Sequence, residues 1–356
     1  MSPMLSTGKN KQRNTAMKIS IIGAGNTGFA CAAHLVQKGY DVIVYTRNPE
    51  KATYLDQKQI TSGQFCSGVL SVSVTSDLKE ALRGADLLIV CTWANAHHEI
   101  FEKIYAQTDC NILIFNGNWG AYEAYQVRSR FYPKSEKCIA ETGGMPYVAS
   151  FSVKDRSLSI KGIKRTVTIA GVNGFLSDSL LALLHSLYED VQTADSVLTT
   201  SLEAPNPIIH IPLSLFNLSR IEHHESFSLL TEGFSERASN YIEGIDRERA
   251  ALAERLGVAY EGITKQLNGF WGTSYPTLTE LFANNPVYQN VKAPDSISHR
   301  FIAEDLPYGI EPLVSLGTAI GVETPYSKAL TDTFYLYLQK KEHQSVRFDT
   351  RLLQNV

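Results

Sequence analysis

The chain has 356 residues, enough for two domains with substantial cores, and its 33 lysines and arginines nearly balance its 36 acids to leave a net charge of -3. That balance excludes the strongly basic footprint of a nucleic-acid or anionic-membrane binder and leaves a small molecule as the expected partner. The five cysteines (Cys31, Cys66, Cys91, Cys110, Cys138) are odd in number and form no C-x-x-C pair, which argues against a disulfide framework and a structural zinc site and fits a reducing cytoplasm.

In chain order, residues 1–16 are polar, carry Lys9, Lys11 and Arg13 without an apolar core, and read as a loose tail. No later segment approaches the run of about 18 apolar residues that a membrane span needs. The stretch MKISIIGAGNTG, residues 17–28, is the element around which the chain is organised. Ile19, Ile21 and Ile22 read as a buried parallel strand that runs into Gly23, Gly25 and Gly28 at G-x-G-x-x-G spacing. That spacing supplies a tight turn, close backbone approach to a pyrophosphate and close helix–strand packing, with the phosphates on a helix N-terminus at Asn26 and Thr27. A glycine turn in some other α/β protein is the plain alternative. A helix over 29–37, stopped by Gly39, and a strand over 40–45 come in the order a dinucleotide fold requires. Where an acid would hold the ribose of NAD, the chain has Thr46, Arg47 and Asn48 with Lys51 nearby. Arg47 can face a 2′-phosphate, which favours NADP over NAD.

Residues 69–75 alternate at period two and read as one half-exposed strand, and Asp77 as the N-cap of a helix over 78–82. The apolar run 85–92 reads as a central strand whose carboxyl end, Thr92 to Asn95, lies over the cofactor. His97 and His98 are adjacent on a helix start, do not share a face and belong to no H-E-x-x-H, so no metal site is expected. A strand over 111–115 opens into a loop holding Asn116, Asn118 and Trp119, and one over 138–141 opens into Thr142, Gly143 and Gly144. Such small polar exits suit a carboxylate or carboxamide; ordinary turns with polar tips are the alternative. A strand over 166–170 and a helix over 175–187 close the first domain. Beyond Thr199 the pattern turns helical: over 227–258 Ala238, Ile242, Ile245, Leu252 and Leu256 recur at helical spacing up to a stop at Gly257. The fold class is therefore α/β plus all-α, a Rossmann dinucleotide-binding domain over 1–198 followed by a mainly helical domain over 199–356, with a cleft between them.

Two islands of the second half carry chemistry. In NPIIHIP, residues 206–212, His210 can exchange a proton near neutral pH, although a lone histidine on an apolar face is more often a core residue. In HRFIAEDLPYG, residues 299–309, Arg300 stands five residues before Asp305, ahead of a Pro-Tyr-Gly break. Arginine grips carboxylates and a buried aspartate fixes a histidine tautomer; a surface salt-bridge cluster is the alternative.

With the glycine motif, these islands and the block FSLLTEGFSERASNYIEGIDRERAALAERLGV, the chain resembles the opine dehydrogenase (octopine/nopaline dehydrogenase) family over residues 17 to 335. The resemblance implies an oxidoreductase acting on CH–NH bonds, which joins an α-keto acid, often pyruvate, to the amino group of an amino acid with NADH or NADPH. It carries the catalytic histidine to His210, its aspartate to Asp305 and the carboxylate-binding arginine to Arg300. Asn206 falls on N-x-x-x-H, while Asn118 and Thr142 fall on loops facing nicotinamide and keto acid. Two departures accompany it: Ala149 and Ser150 stand where many relatives have a basic residue, and Thr46, Arg47 and Asn48 stand where members that use NAD carry an acid. A hinge over 199–206 and a homodimer are further expectations. The alternatives are a simple NADPH-dependent 2-keto acid reductase and a non-catalytic dinucleotide sensor.

Overall fold

A computed structural model describes residues 17–56, 58–64, 68–340 and 346–356; the expectations for the tail before Met17 and for Cys66 lie outside the described residues. The strands are β1 (Lys18–Ile22), β2 (Asp41–Tyr45), β3 (Ile60–Gln64), β4 (Gly68–Leu70), β5 (Ser73–Thr75), β6 (Leu87–Val90), β7 (Ile112–Ile114), β8 (Ile139–Thr142), β9 (Tyr147–Ser152), β10 (Ser157–Ile163), β11 (Thr166–Gly171) and β12 (Asp190–Ala194). Eight of them form one sheet in the order β12-β11-β8-β7-β6-β1-β2-β5. Pairing is parallel throughout except between β8 and β11. Because β2 and β6 flank β1 on opposite sides, the strand order reverses there, and ligands of such sheets sit at the carboxyl ends beside that point.

The central strands are buried on both faces, which is why their sequences are unbroken apolar runs. Ile19, Ile21, Leu87, Ile89 and Leu113 point into one core; Ile22, Leu88, Val90, Ile112 and Ile114 point into another, which continues without interruption into the helical half. The helices of the first half are α1 (Asn26–Gln37), α2 (Pro49–Leu55), α3 (Leu78–Leu82), α4 (His97–Tyr105), α5 (Gly120–Phe131) and α6 (Asp178–Leu187). Those of the second are α7 (Val197–Leu202), α8 (Pro205–Phe216), α9 (Leu218–Glu222), α10 (Glu236–Leu256), α11 (Ile263–Trp271), α12 (Leu278–Asn284), α13 (Arg300–Ala303), α14 (Glu311–Ile320) and α15 (Pro325–Tyr337). The chain then returns to the first half. Phe348 packs edge-on to Trp119, the Asp349 N–H donates to the Tyr122 hydroxyl at 2.7 Å, and the Ser196 hydroxyl donates to the Val356 carbonyl at 2.6 Å.

Several sequence expectations need correction. Residues 69–75 are not one strand: β4 and β5 belong to different sheets, parted at Ser71 and Val72. β4 joins β3, β10 and β9 in a second, four-stranded sheet that the sequence reading missed. Its polar, glycine-bearing strands lack the apolar signature of the large sheet. The helix over 175–187 is not the last element of the first half, since β12 adds an edge strand after it, inside the expected bound at residue 198. The long amphipathic helix begins only at Glu236, where Ser235 accepts from the Ala238 N–H, and ends as expected at Gly257 in the left-handed conformation. Before it, Ser228 bridges to Lys292 instead. The Pro-Tyr-Gly segment does not break the chain either: 306–310 forms a π-type turn leading directly into α14.

Candidate active site

The glycine turn is built as its spacing demands. Gly23 has φ +121° and lies against the Cys91 backbone, and a Cβ on Gly28 would stand 1.9 Å from the Gly23 carbonyl oxygen, so α1 packs on β1 at a distance only glycine allows. Gly25 precedes α1, whose N-terminus has neither a side-chain cap nor an acid in its first turn. Its orphan N–H groups and positive dipole end remain open to an anion. Asn26 is bound by its own fold, its Oδ1 accepting from the Phe151 N–H at 2.9 Å, while Phe29 stacks on Phe151. These contacts tie the turn to β9.

Two cavities flank the turn. The smaller, about 300 Å³, is lined by Gly23, Gly25, Arg47, Lys51, Thr92 and Trp93, among others. Exposed Arg47 comes from the end of β2, and Lys51 donates to the Ala24 carbonyl at 2.5 Å. Burial lowers the Lys51 amine from its ordinary range. The Thr92 hydroxyl is buried with no partner among the described residues, a polar atom left for a ligand. Uncapped amides, two cations and this orphan hydroxyl fit the phosphates and ribose of a dinucleotide.

The larger cleft, about 670 Å³, opens on the other side, from Asn26 and Thr27 to α8, α11 and α13. Asn206 and His210 reach it from one face of α8, one helical turn apart. His210 Nδ1 lies 2.8 Å from Asp305 Oδ2, Asp305 is fully buried, and Phe301 stacks on the imidazole with centroids 3.7 Å apart and planes at 14°. The π-type turn after Asp305 packs against α8; there Gly309 leaves room for Pro207, whose Cγ a Cβ would meet at 2.2 Å. Arg300 faces the same cleft, and its Nε is 3.2 Å from Glu304 Oε2. Glu304 Oε1 accepts from the Ala94 N–H at 2.9 Å, so one carboxylate links α13 to the loop after β6. Burial raises the Glu304 carboxyl above its ordinary range, against the pull of Arg300.

Asn118 and Thr142 line neither cavity. The Thr142 hydroxyl is occupied by backbone, accepting from the Asn116 N–H at 3.0 Å and donating to the Gly144 carbonyl at 2.8 Å. Asn118 is buried with both amide atoms unpartnered among the described residues, in a loop where Asn116, Asn118 and Trp119 all have positive φ. In the segment expected to be a hinge, Thr200 and Ser201 donate to buried Glu141 at 2.8 and 2.6 Å, and burial pushes that carboxyl up to about 7. His97 is buried and His98 exposed, and no group of three or more metal-ligating side chains occurs among the described residues. Sequence reasoning overlooked Glu304, Phe301 and Lys164. The first two lay inside a motif already singled out, whereas Lys164 sits between two strands of which only the second was foreseen.

The family model described as NAD/NADP octopine/nopaline dehydrogenase, alpha-helical domain, matches residues 193–337, a span that holds His210, Arg300 and Asp305; one for NADP oxidoreductase, coenzyme F420-dependent, matches 18–114. The opine dehydrogenase of Arthrobacter sp. (strain 1C) is 26% identical over 318 residues, 88% of each chain. The helical half of the chain thus matches the alpha-helical domain of the octopine/nopaline dehydrogenase family, and nearly the whole chain is similar to an opine dehydrogenase. The chain is also 22% identical to the D-nopaline dehydrogenase of Agrobacterium vitis, over 90% of this chain and 85% of that one. Its fold matches octopine dehydrogenase solved with NADH and agmatine, at a TM-score of 0.76 and 15% identity over 95% and 93% of the two chains. Yersinopine dehydrogenase with bound NADP+ matches at 0.74 and 15%, over 95% and 97%.

Proposed function

We propose that the protein is an NAD(P)H-dependent oxidoreductase of the opine dehydrogenase type, which condenses an α-keto acid with the amino group of an amino acid and reduces the imine to a secondary amine. The observation that carries this reading is the buried Asp305–His210 pair on the wall of a cleft that begins at the glycine turn. Octopine dehydrogenase structures with NADH and L-arginine and with NADH and pyruvate support the substrate classes. The nicotinamide, when bound, supplies the hydride.

In this reading Arg300 holds the keto-acid carboxylate. Asp305 accepts from His210 Nδ1–H, which leaves Nε2 to take the proton released as the amine adds to the keto carbon and then to give it to the departing hydroxyl as water is lost. Asn206, a turn away on the same face, holds a substrate polar atom, and Phe270, Trp271 and Phe301 keep the cleft apolar so that the imine is reduced before water returns. Arg47 and Lys51, with no acid at the end of β2, favour NADPH over NADH. Residues 1–198 serve the cofactor and 199–356 supply the proton-transfer pair, with 346–356 packed on the first half. The four described cysteines are unpaired, which suits a reducing cytoplasm. No described helix is long and apolar enough to cross a membrane. We take the partners to be the two small substrates and, for assembly, a second copy of the chain.

The test is NADPH and NADH oxidation with pyruvate and L-amino acids, each omitted in turn. The reading requires activity that needs both organic partners. Activity with keto acid alone makes the protein a simple reductase, and tight NADPH binding without oxidation across the panel makes it a sensor.

A further inference from the structure

The cleft holds a second interior cation. Lys164 lies in the turn between β10 and β11, its N–H donating to the Pro146 carbonyl at 2.9 Å, and its side chain is only 8% exposed. Its Nζ sits 3.3 Å from the centre of the Phe270 ring. Burial with no acid to offset it pushes the amine down to about 7. Of the other charged groups around the cleft, Glu225, Lys292 and Asp295 are exposed at its rim, and Arg300 already has Glu304. A buried ammonium without a counter-ion is costly, and a ligand that brings an anion relieves that cost.

We propose that Lys164 anchors the α-carboxylate of the amino-acid substrate, so that the cleft grips the two carboxylates of the joined product at two cations on different walls. The inference rests on the reductive-condensation reading. Arg300 adjoins Phe301, which stacks on His210, so it suits the carboxylate next to the reacting carbon. The amino-acid carboxylate lies farther from that carbon, beyond the nitrogen, and meets the wall made by β9, the β10–β11 turn and α11.

Lys164→Met and Lys164→Arg test this in two arms. In turnover, the methionine variant should raise KM for the amino acid about 10- to 100-fold, the loss of one charge-assisted hydrogen bond, with keto-acid KM and NADPH affinity unchanged. It should also no longer prefer the amino acid to the amine that lacks its α-carboxylate, and arginine should restore part of that preference. A rise in keto-acid KM instead, or an intact preference, overturns the proposal. The second arm needs no turnover: calorimetric binding of iminodiacetate, a secondary amine with two carboxylates, to the NADP+-loaded protein, against N-methylglycine, which has one. Loss of iminodiacetate binding in Lys164→Met supports the anchor even if the wild type turns over nothing, in which case the condensation reading alone fails. Equal binding by both proteins, or by neither, overturns the anchor whatever turnover shows.

Discussion

Asp305→Asn separates the proposed proton-transfer pair from the rest of the cleft. The carboxylate is fully buried, with Oδ2 2.8 Å from His210 Nδ1 and Oδ1 without a partner among the described residues. A carboxamide of the same shape either turns its NH2 toward Nδ1, which moves the imidazole proton to Nε2, or points it at the empty side and leaves two donors unpaired, at a cost of about 1–3 kcal/mol. The larger loss is electrostatic. Unit charges about 4 Å apart attract by about 4 kcal/mol at an effective dielectric of about 20, and the asparagine cannot offer that attraction to an imidazolium forming in the transition state. Together these predict a fall in single-turnover hydride transfer of about 10²- to 10⁴-fold, the range that a positioned acid or base contributes. Stopped-flow NADPH oxidation with both substrates saturating measures it, and fluorescence titration of NADPH should show unchanged affinity. A loss below about tenfold, with cofactor binding intact, refutes the role given to the pair.

Three further outcomes concern the cofactor side and the core. Gly28→Ala pushes a methyl into the Gly23 carbonyl and should cost about 1–3 kcal/mol of stability, read by urea unfolding, together with weaker NADPH binding; unchanged values would show that α1 can move off β1. Arg47→Ala should raise KM for NADPH about tenfold or more and spare NADH, and added salt should shrink the difference. His97 is buried, and desolvation pushes its imidazole down from 6.5 to about 4. Its contribution to stability is therefore complete above pH 6.5 and is lost as pH falls through 4, up to about 3 kcal/mol. His97→Leu should flatten that acid limb in denaturant titrations, and an identical pH profile would count against the burial argument.

The nucleotide half was legible because its signals are local. The run 85–92 reads as a central strand without any tertiary information, and β6 occupies its middle, Leu87–Val90; glycine spacing reports backbone geometry directly. The small sheet was not legible: β3 and β10 are parallel neighbours almost a hundred residues apart in sequence, and their pairing leaves no periodicity to read. The same limit hid Lys164, whose position depends on that pairing. His210, Arg300 and Asp305 were singled out through motif resemblance, since periodicity alone made His210 a core residue. In one sense it is that, being only 8% exposed. Thr142 shows the converse, because a hydroxyl at the end of a strand looks available in sequence, whereas here the adjacent backbone takes its proton and one of its lone pairs.

The return of the chain end to Trp119 and Tyr122 bears on how the molecule melts. With the last residues fastened to the first half and one core running from the sheet into the helices, neither half has a complete interior alone. Heating should give one calorimetric transition, and a protein cut near residue 340 should lose the cofactor half along with the helical one.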